Sequence, residues 1–159
     1  MADAYSDLEE WEDDDAYGDD DPILRTLAHQ QECPTVAQLC EVLALLTPGR
    51  AYVTLHTRVF QTVMLRRARF PRDPAHRNRL DYDIVQIAVR EPHRDRGHAT
   101  ALFTALTEAA QCYGRAVFLE QCITPESVAL GNSLVRKRLA VRVQSPGDDT
   151  PSFRSSAPV

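Results

Sequence analysis

Residues 82–111 read YDIVQIAVREPHRDRGHATALFTALTEAAQ and decide the fold. The nearly continuous apolar stretch 83–89 is typical of a central strand that is buried on both faces. A polar segment with one glycine follows, and apolar residues at i, i+3, i+4 and i+7 then predict a helix over 99–111. N–H groups at a helix start lack intrahelical acceptors and carry the positive end of the helix dipole. The segment therefore predicts an anion site for a phosphate or pyrophosphate.

The flanking sequence predicts further helices and strands around this unit. They are a helix over 35–46 with a Thr35–Gln38 capping box, hairpin strands over 51–56 and 59–67, and a loop over 68–81, which we expect to be solvated, with the rim of a substrate site as the alternative. A strand over 115–123, a helix from Thr124 as cap to Arg138 and a strand over 139–143 follow. This order predicts an α/β domain with a mixed central sheet flanked by helices and a right-handed crossover over 83–123. The anion loop would then lie at the carboxyl end of its strand, where open α/β sheets bind ligands.

The charge of the chain is divided unevenly along its length. Residues 1–21 hold eleven of the 23 acidic residues and neither Lys nor Arg, which leaves 12 acidic against 18 basic residues in the remainder. Self-repulsion predicts that 1–21 is a disordered tail, which either keeps the protein in solution, recognises a basic partner or covers a basic cleft. The domain is predicted over 22–143, and the Pro- and Ser-rich segment 144–159 is predicted to be disordered.

Several function classes are disfavoured by the sequence. It contains no apolar stretch of membrane-spanning length and no secretory signal, so we expect an intracellular, cytoplasmic protein without a membrane partner. The four cysteines, at 33, 40, 112 and 122, form no C-x-x-C pair and are predicted to be free thiols. The basic segment 66–79 lacks interleaved aromatic residues apart from Phe70, which argues against binding to nucleic acid.

A short motif connects the loop with a known family. Residues 94–99, RDRGHA, match R-x-x-G-x-A and resemble the acetyl-CoA signature Q/R-x-x-G-x-G/A of GCN5-related N-acetyltransferases. Residues 119–124, LEQCIT, and the helix end 134–139, LVRKRL, resemble small phage or large-virus members of that family. The resemblance covers about residues 35–143 and is sharpest over 83–139.

The resemblance implies an acyl-CoA N-acyltransferase fold with acetyl-CoA as cosubstrate and an unidentified primary amine, on a small molecule or a protein, as acceptor. The residues it implies around the pyrophosphate are Arg94, Asp95, Arg96, Gly97, His98, Ala99 and Thr100. In the family, pantetheine pairs with the edge that is exposed where two parallel strands splay, which here implies the backbone of Ile87, Ala88 and Val89. An N–H near Ile87 or Ala88 would polarise the thioester carbonyl. Asn132 matches a polar residue that contacts pantetheine, or is simply an exposed helix amide.

The catalytic groups are less clear from the sequence. Glu120 is the first candidate for the general base, with a structural ion pair as the alternative role and with Asp81 or Asp83 as other candidates. Many members carry a tyrosine in the last helix, followed by a Gly-Phe pair and two strands. Here Leu134 and Val135 occupy that region, the pair is missing, and one strand is predicted. The alternative is therefore a weakly active or inactive module of this fold that binds CoA or another protein.

Overall fold

A computed structural model describes residues 21–70, 73, 75–76, 78–120, 124–143 and 150–156. The helices are α1 (Pro22–Ala28), α2 (Val36–Ala44), α3 (His98–Gln111) and α4 (Pro125–Arg136), with a 3₁₀ turn at Glu91–His93. The strands are β1 (Tyr52–Leu55), β2 (Phe60–Ala68), β3 (Asp81–Val89), β4 (Val117–Leu119), β5 (Ala140–Val143) and β6 (Ser152–Ser155). The predicted α/β domain with a mixed sheet flanked by helices is confirmed.

The six strands form one sheet in the order β1-β2-β3-β4-β6-β5. The predicted hairpin is present as the antiparallel pair β1–β2, with Tyr52 opposite Arg66 and Leu55 opposite Val63. The pair β3–β4 is parallel, as expected for a strand–helix–strand unit, and the other neighbours are antiparallel. Strand β6 lies between β4 and β5, so Ser152–Ser155 form an interior strand of the sheet.

Local sequence signals account for the helix ends. Thr35 accepts a hydrogen bond from the Gln38 N–H, and the Gln38 side chain accepts one from Thr35, which completes the predicted capping box of α2. Thr124 and Ser127 form an equivalent box at α4, where Pro125 occupies the first turn. Each box satisfies helix-start N–H groups that would otherwise lack acceptors.

One continuous core joins the helices to one face of the sheet. It includes Leu39 of α2 and Leu106 of α3, which pack with Val63 of β2 and with Tyr82 and Ile84 of β3. The alternation of side chains along β3 turns Asp81 and Asp83 to the opposite face. The two faces of β3 therefore differ. Tyr82 and Ile84 pack in the core, whereas the carboxylates of Asp81 and Asp83 are buried on the other face.

The opposite face is covered by the β2–β3 connection, and the prediction that 68–81 is a solvated loop is wrong in part. Phe70 is buried and stacks on Phe118 of β4 with ring centroids 3.8 Å apart. Asp73 is also buried and forms an ion pair with Arg154 of β6. His76 lies edge-on to Phe118, so Phe70 and His76 of this connection form a second small core with Phe118.

The prediction that 144–159 is disordered is wrong over Ser152–Ser155, which form β6. Phe153 is fully buried, and its ring packs directly against Gly131 of α4. The Ser155 hydroxyl accepts a hydrogen bond of 2.9 Å from the Val117 N–H. The segment 152–155 contains one aromatic side chain, and it forms a strand because β4 and β5 pair with its two edges.

The predictions for residues 1–20, 144–149 and 157–159 lie outside the described residues. Asp21, assigned to the acidic tail, precedes α1 and pairs with Arg50 at 2.6 Å. None of the helices in the described part of the chain is long and apolar enough to span a membrane.

Candidate functional site

The candidate site begins where β3 and β4 separate. Their parallel pairing covers only two positions, Tyr82 opposite Val117 and Asp83 opposite Phe118. Strand β3 then continues to Val89, while β4 ends at Leu119. Burial changes at the same point, since 81–84 are buried and Val85 is 45% exposed. The prediction of a doubly buried strand therefore holds for the first half of β3 and is wrong for 85–89.

We call the edge of β3 over 85–89 the gap, because no described residue of β4 pairs with it. A β-bulge decides which backbone groups of β3 face this gap. The register with β2 shifts between Met64 and Leu65, which lie opposite Gln86 and Ile84, so Val85 is the extra residue. The Tyr82 N–H donates to Ala116 O on the β4 side, whereas the Arg90 N–H donates to Val59 O on the β2 side.

Backbone groups alternate between the two edges of a strand. Because the Arg90 N–H points toward β2, the N–H and C=O groups of Ala88 also point toward β2. Those of Val89 and Ile87 point toward the gap. Of the two N–H groups predicted to act on a carbonyl, the one of Ile87 therefore faces the gap. The Val89 carbonyl already accepts a hydrogen bond of 3.1 Å from Arg94 Nε.

The predicted anion loop joins β3 to α3 and has an unusual backbone. Gly97 is the N-cap of α3 with φ of 80°, and Asp95 has φ of 62°, so two residues within three adopt the left-handed conformation. Glycine adopts this conformation without the steric cost of a Cβ. A Cβ at Gly97 would point into open space, which leaves room for a ligand above the loop.

The start of α3 differs from those of α2 and α4. No side chain caps it, and its first turn carries no acidic residue. The first intrahelical bond runs from the Ala101 N–H to Gly97 O, so the N–H groups of His98, Ala99 and Thr100 precede the helical ladder. Arg94 and Arg96 are exposed beside them and Asp95 lies between, which gives the loop one net positive charge. This end of α3 is suited to an anion.

His98 has a packing role in this loop. Its ring lies edge-on to Phe60, with centroids 6.4 Å apart, and edge-on to His93 at 5.9 Å. Phe60 is fully buried in β2, so these contacts attach the start of α3 to the sheet. The half-buried His98 thus orients the loop while its N–H remains part of the helix start.

The Asp83 carboxylate binds the Glu120 N–H where the β3–β4 pairing ends. Asp83 is buried, its Oδ2 pairs with Arg66 Nε at 2.8 Å, and its Oδ1 accepts the Glu120 N–H at 3.2 Å. Burial raises the pKa of the Asp83 carboxyl despite the opposing effect of the Arg66 guanidinium. The side chain of Asp83 thus replaces the next main-chain bond to β4 and places Glu120 beside the gap. Sequence reasoning missed Arg66, because only the pairing of β2 with β3 brings it to Asp83.

The structure describes some of the other predicted site residues and leaves others outside the described part of the chain. Asp81 is fully buried, accepts the Ala116 N–H at 2.9 Å and contacts His76 Nδ1 at 3.0 Å, so its role is to join the two strands to the loop. Asn132 and Ser133 are half-buried on α4. Residues 121–123 lie outside the described residues.

A separate cavity of about 250 Å³ lies along the second half of α3. Its lining includes Thr107 and Glu108 of α3 together with Arg138 and Ser156, and none of the anion-loop residues. Thr107 Oγ1 donates to Phe103 O within the helix. This cavity is therefore distinct from the candidate site.

Comparison of the chain with models of protein families, with curated proteins and with solved structures found no match.

Proposed function

We propose that the chain is a GCN5-related N-acetyltransferase that moves an acetyl group from acetyl-CoA to a primary amine by direct attack. The observation that carries the proposal is the gap between two parallel strands, in which β3 continues beyond β4 and leads into an uncapped, glycine-initiated helix. The resemblance of residues 94–99 to the acetyl-CoA signature implies this combination of a strand splay and a pyrophosphate loop.

Two features beyond the loop support the same family. Strands β5 and β6 follow the last helix, where the sequence alone indicated one strand and the family usually has two. The six-stranded mixed sheet is compatible with the acyl-CoA N-acyltransferase fold. The place of β6 beside β4 depends on the distant pair Phe118–Arg154 and is independent of the hexapeptide motif.

In this proposal the cosubstrate follows the edge of β3. The N–H groups of His98, Ala99 and Thr100, with the side chain of Arg96, hold the pyrophosphate. The edge of β3 at Ile87 and the Val89 N–H, to which no described residue of β4 is paired, bind the amides of pantetheine, as an added strand would. The Ile87 N–H then donates to the thioester oxygen, on which negative charge develops during attack.

Glu120 is the proposed general base for the incoming ammonium. It is half-buried and lies directly after β4 at the gap, where Asp83 holds its N–H. Asp83 is the alternative, because its raised pKa brings it closer to the range in which a carboxylate accepts a proton. Both oxygens of Asp83 are hydrogen-bonded, one to Arg66 and one to the Glu120 N–H, which supports a role for Asp83 in holding the end of β4.

Binding is tested by thermal unfolding with acetyl-CoA. A ligand that binds only the folded state at about 100 times its Kd adds about 2.7 kcal/mol of stability. The chain offers matched variants, since Gly97 and Gly114 flank α3, both have positive φ, and a Cβ added at either would have no atom within 4 Å. Gly97→Trp should remove the rise in Tm with acetyl-CoA, and Gly114→Trp should keep it. No rise for the wild type at millimolar acetyl-CoA would refute the proposal.

Catalysis is tested separately by thiol release over a panel of amines. Glu120→Gln should lower kcat by about 10²–10⁴-fold and leave the acetyl-CoA shift intact. If Asp83→Asn alone has this effect, the base is Asp83. Binding without thiol release from any amine would instead support a CoA-binding module, a second candidate favoured by the absence of a tyrosine in α4, where Leu134 is buried and Val135 is exposed.

A further inference from the structure

Two cysteines that are distant in sequence meet between α2 and α3. Cys40 lies on α2, and Cys112 is the C-cap residue of α3. The Cys40 thiol points to Ala109 O at 3.9 Å, and the Cys112 N–H bonds to the same oxygen at 3.2 Å. Both residues therefore contact the Ala109 carbonyl, and the Cys112 thiol is close enough to the Cys40 thiol to raise its pKa. Both are free thiols, held side by side by the packing of two helices.

The two thiols have different environments, which assigns them different roles. Cys112 is exposed at the helix end, and its Sγ contacts Glu108 O at 3.6 Å. Cys40 is half-buried, and burial, followed by the effect of the neighbouring Cys112 thiol, raises the pKa of its thiol. The Tyr113 hydroxyl donates to Cys40 O at 2.9 Å and fixes the two helices beside the pair. An oxidant from solution therefore meets Cys112 first, and Cys40 is the neighbour that can resolve the product.

We propose that Cys40 and Cys112 form a reversible disulfide that cross-links α2 to α3, with a small-molecule disulfide such as oxidised glutathione as the oxidant. The Cys112 thiolate attacks one sulfur of that oxidant, which forms a mixed disulfide and releases one glutathione thiolate. The Cys40 thiolate then attacks Sγ of Cys112 and releases the second glutathione. The protein loses two protons and two electrons, and one oxidised glutathione becomes two reduced molecules.

The cross-link would join residues 72 positions apart and constrain the unfolded chain. A loop of this length predicts a rise in Tm on the order of 10 °C. The pair lies at the C-terminal end of α3, whereas the acetyl-CoA loop lies at its N-terminal end. The inference is therefore independent of the proposed function.

Mapping the bond requires one variant, because trypsin leaves Cys33 and Cys40 together in the peptide 26–50. Full-length Cys33→Ser protein is incubated with oxidised glutathione, alkylated and digested without reduction. The expected product is peptide 26–50 linked to peptide 97–115, lighter than their sum by two hydrogens and separated by dithiothreitol. In the wild-type protein, fragmentation spectra of the linked peptide should place the bond at Cys40.

The control is Cys33→Ser combined with Cys112→Ser, in which both the linked peptide and the rise in Tm should be absent. Three results would overturn the inference. They are recovery of Cys40 and Cys112 as alkylated thiols, recovery of both as separate glutathione adducts, and linkage of Cys112 to peptide 116–136, which contains Cys122.

Discussion

Substitution of Gly131 by alanine tests whether β6 is packed as described. Gly131 is buried within α4, and a Cβ at this position would overlap three carbon atoms on one edge of the Phe153 ring. Because Phe153 is fully buried, the ring cannot relieve the overlap by moving into solvent. Overpacking of this kind costs about 1–3 kcal/mol, and an overlap with a whole ring edge belongs at the upper end.

Alanine also favours a helix over glycine by about 1 kcal/mol, which offsets part of that cost. The net expectation for Gly131→Ala is a loss of about 2 kcal/mol in the free energy of unfolding, or a fall in Tm of about 4–8 °C. The measurement is urea unfolding followed by circular dichroism. Gly49→Ala is the control, because Gly49 is exposed and no atom lies within 4 Å of its Cβ direction. Its change should remain within about 0.5 kcal/mol.

A double mutant separates the clash from other effects of the alanine. Phe153→Leu removes the ring edge that the added methyl group would meet, so combining it with Gly131→Ala should cost less than it does in the wild type. The expected coupling energy is about 1–2 kcal/mol. A Gly131→Ala protein at least as stable as the wild type would refute the packing of β6 against α4.

Three further changes test other parts of the fold. Phe70→Ala should lower the unfolding free energy by about 3–5 kcal/mol, measured by urea unfolding, because it removes the partner stacked on Phe118; a loss under about 1 kcal/mol would indicate that the loop does not cover the sheet. Thr124→Ala should cost about 1 kcal/mol in the same assay through loss of the α4 cap, and no loss would contradict the capping box. Because burial raises the pKa of Asp83, the folded state binds its proton more tightly than the unfolded state does. Relative to Asp83→Asn, the wild type should therefore gain stability as pH falls through that pKa and lose it as pH rises, and parallel pH profiles of the two proteins would contradict this.

The parts of the fold that the sequence predicted are those with local signals. Alternation over 51–56 and 59–67 predicted the β1–β2 hairpin, and the Thr35–Gln38 box predicted the start of α2 within one residue. The spacing of apolar residues predicted α3 over 99–111, and the helix begins one residue earlier, at His98.

The parts that the sequence did not predict depend on distant partners. Phe153 stands among Pro and Ser residues, and only the surface formed by Gly131 and the edges of β4 and β5 makes its burial favourable. Phe70 lies in a segment that reads as solvated, and its burial depends on Phe118, which is 48 positions later in the chain. A hydrophobic pattern consists of several spaced apolar residues. It therefore cannot predict a strand or a buried loop that contributes a single large side chain to a core.

The candidate site combines both kinds of information. The anion loop is encoded locally, by Gly97 and the helix start that follows it. The gap beside it depends on tertiary pairing, because β4 is three residues long and is held by two pairs to β3 and two pairs to β6. The Asp83 carboxylate then fixes the Glu120 N–H where the main-chain pairing stops. A motif can therefore indicate a candidate anion site, whereas the position of Glu120 depends on β6 and Asp83, which lie far from it in the chain.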